Sequence, residues 1–240
     1  MARFSSAIVR VVSIDAMDTI ITTKEPISNI YSRVAGEFGF VVNSSDIASA
    51  FPGHMKKLFN SHPCFGYNSI GPSEWWKRLV QGCLQEASDN RIPDQKAGEI
   101  AHHLFNFYSS ADAWRIVDPE MKAVIGDFRH RRLGVAVVSN FDGRLKKILR
   151  ELELLPLFDI VVASGEVGVE KPNPSIFELV IKHYGLSNAS GLLHVGDSFE
   201  KDYKAVRDIG GNSVLFDPSS SNRDIMNEHS ITSFSELKVE

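Results

Sequence analysis

The fold is decided by the stretch Val11-Val12-Ser13-Ile14-Asp15-Ala16-Met17-Asp18-Thr19. Its apolar, β-branched first half is typical of a buried strand, and a carboxylate, Asp15, follows directly. Open α/β sheets bind their ligands at the carboxyl ends of the strands, and an aspartate there has the properties of a covalent nucleophile. Position 17, where a second carboxylate would serve as general acid, holds methionine. The stretch therefore predicts an enzyme site with one working part missing or moved.

The composition limits the class of protein. The chain has 240 residues, 43% of them hydrophobic, which suits one large domain or one domain with an inserted subdomain. A net charge of −4 argues against nucleic acid or an anionic membrane as the main partner. Cys64 and Cys83 form neither a disulfide framework nor a metal-type pair, and no apolar stretch reaches membrane-spanning length. We therefore expect a cytoplasmic protein without a membrane partner.

Strand and helix patterns alternate from about residue 112 onward. Short apolar runs predict strands at residues 133–138, 158–163, 192–195 and 213–216. Intervening stretches predict helices at residues 119–132, 142–152, 173–184 and 199–209. After them, the serine run at residues 219–221 predicts a loop before a short tail helix. The alternation indicates an α/β fold with a doubly wound, mostly parallel, Rossmann-like sheet.

A helical insertion separates the first strand, predicted at residues 8–14, from its partners. Residues 25–111 contain no convincing strand pattern and carry apolar residues at helical spacing. We therefore predict an α/β core formed by residues 1–24 and 112–240, with residues 25–111 as an inserted helical cap. Such a cap would lie as a lid above Asp15.

Polar side chains follow two further predicted strands. Ser139 and Asn140 come directly after the apolar run at residues 135–138, and a hydroxyl there can donate a hydrogen bond to a phosphate oxygen. Lys171 lies in the segment GVEKPNP, residues 168–174, where two prolines stiffen the backbone. A lysine held in this way would place a positive point charge against a phosphate and a nucleophile.

Two acids follow the strand predicted at residues 192–195. Asp197 and Asp202 lie five residues apart on a strand-to-helix turn. Carboxylates in this arrangement suit a hard cation such as Mg²⁺, which one acid would bind directly and the other through water.

These four segments, in this order, resemble the haloacid dehalogenase superfamily of hydrolases. The resemblance covers nearly the whole chain, because that superfamily carries a helical cap at the same place. It implies a Rossmann-like hydrolase core, Mg²⁺ as cofactor and a small phosphorylated molecule as substrate.

The resemblance also implies a role for particular residues. Those assigned to the nucleophile and the metal are Asp15, which serves both purposes, Met17 through its backbone carbonyl, Asp197 and Asp202. Those assigned to the substrate are Thr19, which orients the loop, Ser139, Asn140 and Lys171, the last of which also acts in catalysis.

Met17 departs from the phosphatase pattern of the superfamily, which has an aspartate at that position. Asp18 lies one place further on, but neighbouring side chains of an extended turn point in different directions, so Asp18 is not expected to reach the leaving group. A positioned general acid contributes about 10²–10⁴-fold to the rate. Aryl and acyl phosphates, whose leaving groups need no proton, fit such a site, whereas sugar phosphates would suffer most.

Three functions are compatible with these residues. The first is a Mg²⁺-dependent phosphohydrolase of small phosphate esters, weakened or made selective by Met17. The alternative is a catalytically silent protein that keeps the phosphate and metal site for binding or interaction. Carbon–halogen hydrolysis is the third, and the pair Asp197 and Asp202 argues against it, because a metal-free site gains nothing from two additional buried acids. The sequence contains no feature that predicts an oligomeric state.

The same residues also have purely structural interpretations. Asp15 and Asp197 can be ordinary turn acids, and a loop lysine such as Lys171 is most often solvated. Trp75 and Trp76 are adjacent, so they cannot face the same side of a helix. We expect one of them in the core and the other at the substrate pocket.

Overall fold

A parallel sheet forms the centre of the computed structural model, which describes residues 2–5, 8–220 and 229–240. Its strands are β2 (Val11–Ile14), β5 (Gly134–Ser139), β6 (Ile160–Ala163), β7 (Leu192–Gly196), β8 (Asn212–Phe216) and β9 (Ser230–Ile231). Across the sheet they follow the order β6-β5-β2-β7-β8-β9. Val11 of β2 pairs with Gly134 on one side and with Leu192 on the other.

The central strands are buried on both faces. Val12, Val135 and Leu193 pack on one face, and Val11, Ala136 and Leu192 pack on the other. Because both faces are covered, these strands are nearly continuous apolar runs, interrupted by Ser13 in β2 and His194 in β7. The predicted α/β fold with a doubly wound, mostly parallel sheet is confirmed.

Helices cover both faces of this sheet. One face packs against α6 (Met121–His130) and α7 (Leu145–Glu151), and the other packs against α9 (Ser175–His183) and α10 (Ala205–Asp208). A short turn, α8 (Ser164–Val167), follows β6. The predicted helix at residues 199–209 begins as one π-helical stretch, Phe199–Lys204, which continues into α10.

The segment between residues 27 and 107 is helical, and we call it the helical segment. It contains α1 (Ile27–Glu37), α2 (Ser44–Ser61), the short turn α3 (Pro63–Gly66), α4 (Gly71–Ala87) and α5 (Asp94–Phe107). Its apolar side chains form their own clusters, one around Ile30, Leu84 and Ile100 and another around Trp75 and Leu79. The division of the chain into a cap at residues 25–111 and a core stays a prediction, which these separate clusters support.

Two small sheets lie outside the sequence-based prediction. β3 (Ile21–Thr23) and β4 (Trp114–Ile116) pair antiparallel on either side of the helical segment, and β1 (Ala2–Phe4) pairs with β10 (Leu237–Val239). Strands of three residues carry too little periodic pattern to be recognised. The first central strand also begins at Val11, later than the predicted start at Ile8, whose side chain is exposed.

The predicted tail helix falls largely on residues 221–228, which lie outside the described residues. The described part of the tail forms β9, a 3₁₀ turn at Phe234–Glu236 and β10. None of the helices in the described part of the chain is both long and apolar enough to cross a membrane.

Candidate active site

Asp15 lies where the connections of the sheet diverge. It follows β2, whose chain continues toward β5, whereas its neighbour β7 continues in the opposite direction to β8. Such a switch point opens a crevice at the carboxyl ends of the two strands. Asp197 follows β7, so the topology brings the carboxylates of Asp15 and Asp197 to the same crevice.

Lys171 is the centre of a buried ion cluster. Its Nζ lies 2.5 Å from Oδ1 of Asp15 and 2.5 Å from Oδ1 of Asp202, and only 3% of the residue is exposed. The structural interpretation of Lys171 as a solvated loop lysine is therefore wrong. Its backbone is held by Asn140, whose side chain donates to the carbonyl of Lys171 at 2.8 Å and accepts from its N–H at 2.7 Å.

Asp202 is fully committed to this cluster. One of its carboxylate oxygens contacts Lys171 and His194, and the other accepts from the backbone N–H of Ser198 at 3.0 Å. Position 196 requires glycine, because the Cβ of any other residue would lie 2.3 Å from Cγ of Asp202 and would displace that carboxylate. These contacts suit a carboxylate that orients Lys171 and meets a metal ion through water. Its predicted role as a metal ligand stays a prediction.

His194 is a residue of the site that the sequence analysis left without a role. Its ring is fully buried, with Nε2 3.0 Å from Asp202 and Nδ1 2.7 Å from Oγ of Ser13. Burial lowers the pKa of His194, so the ring is neutral. A neutral ring that donates from Nε2 to Asp202 accepts at Nδ1 from the Ser13 hydroxyl. The signal in the sequence was a polar residue at the same register of two neighbouring apolar strands, Ser13 opposite His194.

The charges shift the pKa values in different directions. Burial raises the pKa of Asp15, and Lys171 opposes this shift without cancelling it. Burial alone would lower the pKa of Lys171, but Asp15 and Asp202 outweigh it, so the pKa is raised and the ammonium stays charged. Burial would likewise raise the pKa of Asp202, but Lys171 and His194 outweigh it and hold the pKa low.

Asp197 is the carboxylate without a cation beside it. Desolvation and the negative charges of Asp15, Asp202 and Asp18 raise the pKa of Asp197 to about 7. One oxygen from each of Asp15, Asp197 and Asp202 lies within 4.8 Å of the others. Three carboxyl groups therefore lie near a single ammonium group, which contacts Asp15 and Asp202, so the cluster has more acidic groups than cations. A divalent cation would balance this excess, and the oxygen donors are of the type that Mg²⁺ prefers.

The turn after Asp15 places its residues differently. Met17 is partly buried against the apolar core, whereas Asp18 is exposed and accepts a hydrogen bond from the Thr22 hydroxyl at 2.6 Å. Asp18 also has φ of 59°, in the left-handed region, and its contact with Thr22 holds the carboxylate within the turn. These contacts fit the expectation that Asp18 does not reach the leaving group.

Two buried hydroxyls at the crevice, Oγ1 of Thr19 and Oγ of Ser139, make no hydrogen bond to any described residue. Buried polar atoms are nearly always satisfied, so this pair beside a carboxylate cluster would suit contacts with an oxygen-rich ligand. Asn140 differs, because both polar atoms of its amide already bind Lys171. Contacts of Thr19, Ser139 and Asn140 with a substrate stay predictions.

A second unpredicted network links the helical segment to the sheet. Asp142, fully buried after β5, accepts from the indole N–H of Trp76 at 2.6 Å and from Nη2 of Arg144 at 2.6 Å. The guanidinium of Arg144 also lies over the ring of Phe105, 4.2 Å from its centroid. Asp142 also accepts from the backbone N–H of Arg144 at 2.9 Å, which is a local contact, but the spacing of residues in the sequence carries no information about a partner on α4.

The two adjacent tryptophans, Trp75 and Trp76, lie in different surroundings, as expected for neighbouring positions of a helix. Trp75 is fully buried and donates to the carbonyl of His62 at 2.9 Å. Trp76 faces a cavity of about 210 Å³ between the helical segment and the carboxyl ends of the strands. Met17 and Asn140 also line this cavity. The cavity therefore adjoins the buried group of Asp15, Lys171, Asp197 and Asp202, which we call the Asp15 cluster.

Comparison with known proteins finds relatives that match most of the chain. The model of the haloacid dehalogenase-like hydrolase family matches residues 9–210. Haloacid dehalogenase-like hydrolase domain-containing protein 3 of Bos taurus is 32% identical over 236 residues, which cover 95% of this chain and 92% of that protein.

Solved structures share the fold at low sequence identity. YfnB from Bacillus subtilis, bound to magnesium, superposes with a TM-score of 0.72 at 17% identity, covering 95% of this chain and 96% of that chain. A phosphatase from Thermococcus onnurineus gives a TM-score of 0.65 at 17% identity, covering 95% of each chain. From the family match and the identity across nearly its full length, we conclude that the chain belongs to the haloacid dehalogenase-like hydrolase family.

Proposed function

We propose that this hydrolase is a Mg²⁺-dependent phosphohydrolase that acts on small phosphate esters through an aspartyl-phosphate on Asp15. The observation that carries the proposal is the buried contact of Lys171 with Asp15, 2.5 Å long, in a crevice that also contains Asp197. The ammonium group offsets charge both on the nucleophile and on an incoming phosphate. The magnesium bound to YfnB, which shares this fold, supports the same cofactor here.

The residues present fit a magnesium ion. Asp15 and Asp197 would hold it directly, Asp202 would contact it through water, and the backbone carbonyl of Met17 would complete the protein ligands. When bound, Mg²⁺ would stabilise negative charge on the transferring phosphoryl group. Thr19 and Ser139 would donate their unpartnered hydroxyls to phosphate oxygens.

The reaction would proceed in two displacements. A carboxylate oxygen of Asp15 attacks phosphorus, the bond from phosphorus to the ester oxygen breaks, and the leaving oxygen keeps the electron pair. Water then attacks phosphorus, the bond to Asp15 breaks, and inorganic phosphate leaves with the free carboxylate restored.

In this scheme, the methionine at position 17 limits which leaving groups can depart. It cannot give a proton to the departing oxygen, and Asp18 is held by Thr22. Loss of a positioned acid costs about 10²–10⁴-fold for esters that need the proton. Aryl and acyl phosphates, whose leaving groups are stable as anions, are therefore the favoured substrates.

Met17 also favours one alternative, a catalytically silent protein that binds Mg²⁺ and phosphate without turnover. The cluster around Lys171 would serve binding equally well, because only the proton donor for the leaving group is absent.

Hydrolysis of p-nitrophenyl phosphate, with and without Mg²⁺, tests the proposal. Asp15→Asn, purified in parallel, shows how much activity comes from contaminating phosphatase, and circular dichroism verifies that it is folded. We expect Mg²⁺-dependent turnover that disappears in the variant. Turnover no higher than that of the variant, in folded protein that binds Mg²⁺, would favour the silent alternative.

A further inference from the structure

The cavity of about 210 Å³ beside the Asp15 cluster has walls of a distinctive kind. Of the 17 described residues that line it, nine are aromatic. They include Phe65 and Trp76, whose rings stack at 5.8 Å between centroids and 19° between planes. Walls of flat apolar rings bind a flat apolar group better than a hydrated one.

Charged and hydrogen-bonding groups are scarce in these walls. Arg144 is the one charged residue among the described lining residues, and Asp142 already neutralises it at 2.6 Å. The amide of Asn140 is occupied by the backbone of Lys171. A sugar moved into this cavity would lose water from several hydroxyls with few partners in return, which is unfavourable.

One of the lining residues, Tyr108, has a buried hydroxyl that makes no hydrogen bond to any described residue. An unsatisfied buried hydroxyl is costly unless a ligand supplies the partner.

The volume limits the ligand to one ring with a small substituent. An apolar cavity of about 150 Å³ holds a benzene molecule. The cavity here, about 210 Å³, is larger by little more than a substituent. Since Met17 and Asn140 lie both in its wall and beside Asp15 and Lys171, a ring in the cavity would stand next to the phosphate position.

We propose that the cavity binds the organic group of the substrate, and that this group is a single aromatic ring carried by a phosphate. The inference rests on the proposed function, because it takes the phosphate site to lie at Asp15 and Lys171. It adds a reason for aryl phosphates that is independent of Met17: the ring is recognised by shape and apolar contact, whatever the leaving group requires.

Phosphonates separate this inference from catalysis, because they cannot be hydrolysed. Isothermal titration calorimetry with Mg²⁺ present compares benzylphosphonate with methylphosphonate. We expect benzylphosphonate to bind at least about tenfold more tightly, because the ring loses its contact with water in the cavity. Equal affinities would overturn the inference and leave the proposed function intact. Absence of binding by both compounds would overturn both.

Two tryptophan substitutions on α2 locate the ring. Met55 lines the cavity, whereas Lys56 is its exposed neighbour. In Met55→Trp the indole fills the space, so the ratio of the two affinities should fall toward one. In Lys56→Trp the ratio should remain that of the natural chain. A ratio that is unchanged in folded Met55→Trp would overturn the assignment of the ring to this cavity.

Discussion

The Asp15 cluster and the aromatic cavity meet at Met17 and are built on opposite principles. The cluster brings three carboxylates together, and hydrogen bonds join two of them, Asp15 and Asp202, to one buried ammonium. The cavity consists mainly of apolar rings and carries one neutralised charge among its described residues. In the proposed scheme, the cluster would determine which bond can react, and the cavity would determine which molecule can approach. Substitutions in the two regions should respond differently to charge, pH and metal.

The largest effect is expected where the regions meet. Met17→Asp should raise the turnover of alkyl phosphates by about 10²-fold or more, because it supplies the missing proton donor. Steady-state kinetics with β-glycerophosphate measure this gain, and Met17→Asn, of similar shape but without an acidic proton, is the control. No gain in a folded, Mg²⁺-binding Met17→Asp protein would count against Met17 as the limiting feature.

Removing the cation from the cluster should cost stability. Lys171→Met leaves two buried carboxylates without their partner, which typically costs about 3–5 kcal/mol of the free energy of unfolding. The low pKa of Asp202 stabilises the natural chain above the unfolded pKa of the carboxyl, and this stabilisation is lost as the pH falls through the folded pKa, so the deficit of the variant should be full at about pH 7 and smaller at about pH 3.

Urea denaturation at both pH values measures this deficit. The matched control is Lys204→Met, which removes an exposed ion pair with Asp208 and should change the free energy of unfolding far less than Lys171→Met does. Equal effects of the two substitutions would mean that the buried cluster adds nothing to stability.

The cavity side should respond without any dependence on pH. Leu104 lines the cavity and is 1% exposed, so Leu104→Ala should lower the free energy of unfolding by about 2–5 kcal/mol. Because no charge changes, the loss should be the same at pH 6 and pH 8. Leu179→Ala, at an exposed leucine, is the control and should have an effect near zero. A loss of stability that varies with pH would contradict this prediction and show that the cavity is coupled to a titrating group.

Magnesium binding should follow the protonation of Asp197. The pKa of this carboxyl is raised to about 7 in the metal-free protein, and a proton competes with the ion. Binding should therefore weaken by about tenfold from pH 8 to pH 6, as the carboxylate becomes protonated. Calorimetric titration with Mg²⁺ at the two pH values measures the change. Asp197→Asn should bind weakly with little pH dependence, and a steep dependence retained in that variant would assign the titration to another group.

The smallest effect is expected at Asp18. Its carboxylate is held by Thr22, so Asp18→Asn should change the turnover of β-glycerophosphate, an alkyl phosphate whose leaving group needs a proton, by less than about twofold. A fall of about 10²-fold, the size expected for loss of a general acid, would show that Asp18 had taken over the role absent from position 17.

The sequence predicted the cluster better than the cavity for a physical reason. Each charged residue of the cluster follows a recognisable strand or a short stiff segment, so the topology alone brings Asp15, Lys171 and Asp197 together. The cavity instead depends on contacts between distant helices, and adjacent positions such as Trp75 and Trp76 have opposite fates there. His194 and Arg144 were missed because their partners, Ser13 and Asp142 among them, become apparent only once strands and helices are packed.

The hydrogen bond from Trp76 to Asp142 makes tryptophan fluorescence a probe of this part of the molecule. The indole belongs to the helical segment, whereas the carboxylate follows a central strand, and the two are 2.6 Å apart at the rim of the cavity. Intrinsic fluorescence of this tryptophan should therefore register both separation of the two parts and entry of a ring beside it.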